Sequence, residues 1–152
     1  KIGIRDAILK KPGKFTAEEY EEMKRHPVIG ASIISGIRTL GKASSWVRHH
    51  HERYDGSGFP DHLCDGDIPL GARIIAVADS LDAITSRRVY KPAMSWDVAI
   101  HEVQRCSGTQ FDPEVVRVFV SISDNLRPSE LAQAEAGEVN RQAAAARGGE
   151  KA

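Results

Sequence analysis

Apolar residues recur every three or four positions along most of the chain, a period that is typical of packed helices. Thr16 and Glu19 form a capping box that predicts the start of a helix, and Pro27 is expected to break that helix after Arg25. No segment alternates apolar and polar residues as a half-buried strand does, so we predict an all-α fold. Further helices are predicted over 28–40, from Ser44 or Ser45 into the histidines at 49–51, over 69–85, over 96–107 and from Asp112 to Val120.

The segment from Pro69 to Thr85 is apolar on nearly every side, which predicts a buried central helix. Asp79 lies inside it, with Asp82 on the same helical face. A buried carboxylate without a partner would cost several kcal/mol, so Asp79 is expected to meet a metal ion or another cation, or to be protonated. An ion pair with an arginine such as Arg73 or Arg38 is the structural alternative.

The composition is typical of one globular domain with a polar extension, at 152 residues, 41% hydrophobic and 28% charged. Lysine plus arginine equals aspartate plus glutamate, 21 each, so no overall field favours DNA or an anionic membrane. Cys64 and Cys106 are isolated, and no apolar run approaches the roughly 20 residues of a membrane span. We expect a cytoplasmic protein with a domain over residues 1–125 and a polar, frayed or disordered tail over 126–152.

The densest candidate chemistry is a run of three histidines at 49–51, followed by Glu52 and a loop rich in glycine. Imidazole is the commonest metal ligand in proteins, which favours a metal site over an exposed polar helix end. His50 and His51 would point about 100° apart on a helix, so each is expected to approach a different ion of a cluster. Glu52 could orient an imidazole or be a solvated charge, and His26 could be a ligand or only a helix cap. His49, His62 and His101 are predicted to be surface residues.

A basic loop follows the helix of Asp79 by about two turns and contains Arg87, Arg88 and Lys91. Such a run is often only a solvated face, but here it could neutralise phosphate oxygens. Gly56 and Gly58 allow the backbone to approach a ligand closely, and Phe59 could stack on a base.

Short motifs occur in a fixed order between Lys1 and about Ile122, and together they resemble the HD-GYP domain. That domain is the bacterial branch of the HD superfamily that hydrolyses the second messenger cyclic di-GMP. The motifs are Lys1-Ile2-Gly3-Ile4-Arg5-Asp6, Lys11-Pro12-Gly13, Met23-Lys24-Arg25-His26-Pro27, His50-His51-Glu52, Asp55-Gly56-Ser57-Gly58-Phe59-Pro60, Ile68-Pro69, Ala78-Asp79, Asp82-Ala83, Thr85-Ser86 and Phe111-Asp112-Pro113.

The resemblance implies an HD-type helical bundle with two or three divalent metal ions, iron or manganese, bridged by a water or hydroxide. It implies a phosphodiesterase that cleaves cyclic di-GMP to linear pGpG, to GMP or to both, and a possible GGDEF-type or regulatory domain partner. The residues that match family positions are Lys1 as the catalytic lysine, His26, His50, His51 and Asp79 as metal ligands, and Gly58, Phe59, Pro60, Asp82, Arg88 and Lys91 near the substrate.

Two departures from the family pattern matter. The His-Asp pair of the family would lie immediately before Lys1, so chain 1–152 alone is expected to hold an incomplete cluster and to show little or no turnover. Phe59 stands where the family has tyrosine and lacks its hydroxyl. The alternative is therefore a truncated or degenerate module that binds a nucleotide or protein partner without hydrolysis; the oligomeric state is left open.

Overall fold

The computed structural model describes residues 1–86 and 94–129, and regular structure in those ranges is helical. The all-α prediction is confirmed, since the described residues form no strand beyond an isolated bridge between Ser107 and Phe111. None of the described helices is long and apolar enough to cross a membrane. The helices are α1 (Asp6–Leu9), α2 (Ala17–Met23), α3 (His26–Ser35), α4 (Gly41–His49), α5 (Leu70–Thr85), α6 (Trp96–Arg105) and α7 (Pro113–Leu126), with 3-10 turns at Arg38–Leu40 and Asp65–Asp67.

The predicted capping box of α2 is confirmed, and side chains also cap α6 and α7. The Glu19 N–H donates to Thr16 Oγ1 at 3.3 Å, and the Thr16 N–H donates to Glu19 Oε2 at 2.7 Å, which completes the capping box. The Ser95 hydroxyl accepts from the first turn of α6, and the Asp112 carboxylate accepts from the first turn of α7. Each cap satisfies a backbone donor that has no partner within its own helix.

Two predicted helix starts are wrong. Helix α2 ends at Met23, before Pro27 as expected, but α3 begins at His26 and not at residue 28. Pro27 therefore lies in the first turn of α3, where its missing N–H costs no intrahelical hydrogen bond. Helix α4 begins at Gly41 and not at Ser44 or Ser45. The Ser44 hydroxyl instead donates to the Ala31 carbonyl at 2.9 Å, and this bond joins α4 to α3.

The main core lies between α5, α6 and α7, and a smaller cluster joins the N-terminal segment to α2. Helix α3 packs against α4, and α4 packs against α5, so the pair α3 and α4 lies beside this core. A Cβ at Gly71 would lie 2.3 Å from the Trp46 ring, so only glycine allows α5 to approach α4 this closely. The main core consists of Val77, Leu81, Trp96, Ala99, Val103, Phe111, Val116 and Phe119.

The prediction that α5 is buried on all sides, with Asp79 inside, is wrong for the described residues. Leu70 and Ile74 are 56% and 51% exposed, and Asp79 is exposed as well. The Asp79 carboxylate therefore needs no buried partner here. Arg73, one suggested partner, instead forms an ion pair with Asp112 at the start of α7.

Candidate metal centre

Three histidines from two neighbouring helices converge at one point. His26 opens α3 and is only 6% exposed, while His50 and His51 follow the last residue of α4 and are half-buried. One ring nitrogen from each lies within 4.8 Å of the other two, and Nε2 of His26 is 3.1 Å from Nε2 of His51. The expected divergence of His50 and His51 is not observed, because their ring centroids are 4.0 Å apart.

Backbone carbonyls orient two of the three imidazole rings. Nδ1 of His26 donates to the Met23 carbonyl at 2.7 Å, and Nδ1 of His50 donates to the Val47 carbonyl at 2.6 Å. A carbonyl can only accept, so the proton of each neutral ring is on Nδ1 and the lone pair is on Nε2. Such a bond is the usual way in which a protein fixes the tautomer of a metal-binding histidine.

The spacing of the ring nitrogens fits a divalent transition metal. Two imidazoles bound to one ion at about 2.1 Å have nitrogens roughly 3.0–3.4 Å apart for angles between 90° and 109°. The observed distance of 3.1 Å between His26 and His51 lies in that range. Imidazole ligands suit zinc, copper, iron and nickel, so the three residues can hold a metal ion, although they do not select one by themselves.

Burial keeps His26 and His51 in the neutral form that metal binding requires. Burial, together with the nearby His50, His26 and Lys1, lowers the pKa of His51 to about 3. The pKa of His26 is lowered too, chiefly by burial. Lys1 contributes to both shifts, so its ammonium group lies close enough to act electrostatically on the centre.

The loop after the histidines is anchored by Glu52, which is only 3% exposed and is not a solvated charge. Its Oε1 accepts from the Asp61 N–H at 2.7 Å, so it orients the loop and not an imidazole. The Phe59 N–H donates to the His51 carbonyl at 3.2 Å, and the Phe59 and His51 rings are 5.1 Å apart. Gly58, Phe59 and Pro60 therefore form a wall beside the histidines, with a cis Phe59–Pro60 peptide.

His49 is not the surface residue that was predicted, although it is also not part of the centre. Its Nδ1 donates to the Ser45 carbonyl at 2.9 Å and its Nε2 lies 2.8 Å from Asp61, leaving its side chain 12% exposed. Arg48 binds the same carboxylate and, with His49, lowers the pKa of Asp61 to about 2. The sequence contained no local signal for this contact, because Asp61 lies across the loop.

The other predicted site residues are not part of the histidine group. Asp79 and Asp82 are both exposed on α5, and Asp82 accepts a hydrogen bond from the Ser86 hydroxyl at 2.9 Å. His62 and His101 are exposed, as expected. Arg88 and Lys91 lie outside the described residues.

The sequence matches the family described as HD domain over residues 2–115. The chain belongs to this family. It is 44% identical over 128 residues to a cyclic di-GMP phosphodiesterase of Thermotoga maritima, covering 83% of this chain and 35% of that protein. It is 48% identical over 118 residues to the cyclic di-GMP phosphodiesterase response regulator RpfG of Xanthomonas campestris, covering 76% and 31%.

Relatives with a different named substrate also match. A 3'3'-cGAMP-specific phosphodiesterase of Vibrio cholerae is 37% identical over 122 residues, covering 79% of this chain and 23% of that protein. The chain spans about a third or less of the length of these curated relatives. The resemblance predicted from the ordered motifs is thus confirmed at the level of the HD domain and its cyclic dinucleotide phosphodiesterase relatives.

Replacing Glu52 tests whether it anchors the loop. Glu52→Ala leaves the Asp61 N–H without its acceptor, and we expect a loss of about 1–3 kcal/mol in the free energy of unfolding. Glu52→Gln keeps an oxygen in that place and should stay within about 1 kcal/mol of the parent protein. Urea unfolding measures both values, and hydrogen exchange at the Asp61 amide should accelerate in the alanine variant alone. Equal effects of the two substitutions would show that the carboxylate charge matters and not the acceptor.

Proposed function

We propose that this domain is a metal-dependent phosphodiesterase that hydrolyses cyclic di-GMP to linear pGpG, to GMP or to both. The observation that carries the proposal is the convergence of His26, His50 and His51 beside the wall of Gly58, Phe59 and Pro60. The matched relatives named as cyclic di-GMP phosphodiesterases support this substrate.

The three histidines would hold a divalent ion, and Asp79 would join them if the site carries the two or three iron or manganese ions that the resemblance implies. A metal ion bound here supplies an activated water and polarises the phosphoryl oxygen. Imidazoles fixed by the Met23 and Val47 carbonyls need no reorganisation on binding, which favours tight coordination.

The remaining proposed residues act on the substrate. Lys1, whose charge already influences His26 and His51, would neutralise charge on the phosphate that is attacked. Arg88 and Lys91 would do the same from the loop after α5, near Asp82. Phe59 would exclude water from one side of the centre. In a longer protein that carries this domain, the partner would be a GGDEF-type or other regulatory domain. The protein would act in the cytoplasm.

The test measures cleavage of cyclic di-GMP by the whole protein that carries this domain, with chain 1–152 assayed in parallel. Chromatography should detect pGpG or GMP in the presence of manganese or iron and none after chelation. For chain 1–152 alone we expect little or no turnover. A whole protein that binds metal and cyclic di-GMP but releases no product would contradict the proposal and favour the binding module.

A further inference from the structure

A cavity borders the Phe59 side chain and is lined by residues of α2, the start of α3 and residues 59–62. It has a volume of about 260 Å³, and its lining includes Glu21, Lys24, Arg25 and Phe59. Sites for drug-sized ligands are typically about 300–1,000 Å³, so this one suits a single base and not a whole cyclic dinucleotide. The Phe59 ring also lies 5.1 Å from the His51 ring, so this side chain borders both the cavity and the histidine group.

The cavity combines an aromatic wall with an ion pair at its rim, in which the Lys24 side chain is 30% exposed and the Glu21 side chain 68%. The Lys24 ammonium donates to Glu21 Oε1 at 2.6 Å and lies 5.1 Å from the centre of the Tyr20 ring and 6.0 Å from that of Phe59. These contacts place a strong donor next to a strong acceptor at the edge of the cavity. A carboxylate has about four lone-pair sites, so Glu21 can accept further hydrogen bonds while it is paired with Lys24.

This donor and acceptor match the Watson–Crick edge of guanine. Guanine presents the O6 acceptor followed by two donors, N1–H and the 2-amino group, which suit an ammonium and a carboxylate respectively. Adenine presents its 6-amino donor and its N1 acceptor there, so the ammonium would face a donor and the carboxylate an acceptor. A mismatch of this kind leaves polar groups unpaired, which is how a site built from hydrogen bonds rejects an analogue.

We propose that this cavity binds one guanine base of the substrate, with Phe59 as the stacking wall and Glu21 as the residue that selects guanine over adenine. The inference rests on the proposed function for the identity of the ligand. It assigns a specificity role to α2, whose carboxylates are not metal ligands. Base selection matters in this family, because some matched relatives are named for cyclic di-GMP and others for 3'3'-cGAMP.

The test compares the affinities of the metal-loaded chain for cyclic di-GMP and cyclic di-AMP by isothermal titration calorimetry. The parent chain should bind cyclic di-GMP roughly tenfold or more tightly than cyclic di-AMP. Glu21→Gln should remove most of that preference, because an amide can both donate to and accept from the edge of adenine. Glu18→Gln is the matched control, since it removes a carboxylate from the same helix outside the cavity, and it should keep the preference.

Phe59→Leu separates stacking from edge recognition. Stacking tolerates any base, so this variant should weaken the binding of both dinucleotides by a similar factor. The ratio of the two affinities should therefore stay unchanged. Equal binding of the two dinucleotides by the parent chain, failure to bind either, or a preference that survives Glu21→Gln would overturn the inference. The whole protein should also cleave bis(p-nitrophenyl) phosphate, a substrate that carries no base. This cleavage depends on the metal centre and not on the base cavity, so measuring it tests the proposed function separately.

Discussion

Replacing His51 with alanine should remove tight metal binding, lowering the affinity for manganese or iron by about 100-fold or more. The loss should be this large because His51 is one of three converging histidines and its Nε2 lies 3.1 Å from that of His26. Activity in the whole protein should fall with the metal content. Inductively coupled plasma mass spectrometry after gel filtration measures the bound metal, and titration with manganese gives the affinity of the protein for that ion.

His49→Ala is a matched control, because it removes an imidazole two residues away. His49 is bound to Ser45 and Asp61 and is not a member of the converging group. Its loss should reduce the free energy of unfolding modestly and leave the bound metal unchanged. Circular dichroism checks that both variants remain folded. A His51→Ala protein that retains the metal of the parent, or a His49→Ala protein that loses as much, would show that the centre is not the one described here.

The histidine centre shows what a sequence can predict and where local patterns stop being sufficient. The motifs around His26 and His50 indicate metal ligands, but these two residues are 24 positions apart in the sequence. Their meeting depends on how α3 packs against α4, which involves contacts such as the Ser44 hydroxyl with the Ala31 carbonyl. Periodicity predicts each helix, although it does not predict which ends of two helices will meet.

The errors have similar physical causes. Hydrophobicity alone placed Asp79 in a buried helix, yet an apolar helix face is buried only where another element covers it, and Leu70 and Ile74 remain exposed among the described residues. The sequence pattern places the start of α3 after Pro27, yet a proline also fits the first turn of a helix, where its missing N–H has no intrahelical acceptor to lose. The local sequence leaves the role of Glu52 open, because its carboxylate is buried against a backbone donor nine residues away, at Asp61.

A methyl group added at Gly58 should displace the loop from the metal centre. A Cβ there would lie 2.3 Å from the Arg53 nitrogen and 2.5 Å from the Glu52 Cα, and both are backbone atoms that no side-chain rotation can move. The loop must therefore shift away from Glu52, and it carries the neighbouring Phe59 ring away from His51. We expect Gly58→Ala to lower the free energy of unfolding by about 1–3 kcal/mol and to weaken binding of cyclic di-GMP.

Gly66→Ala makes the same chemical change in the same loop, at a position where an added Cβ meets nothing within 4 Å. It should stay within about 0.5 kcal/mol of the parent protein, so any larger effect at Gly58 comes from the clash and not from the change of residue type. Urea unfolding and calorimetric titration with cyclic di-GMP compare the two variants. If Gly58→Ala is as stable as Gly66→Ala and binds as well, the loop does not need its close contact with Glu52. If it loses binding but keeps the bound metal, the wall of Gly58, Phe59 and Pro60 holds the substrate while the histidines hold the ion.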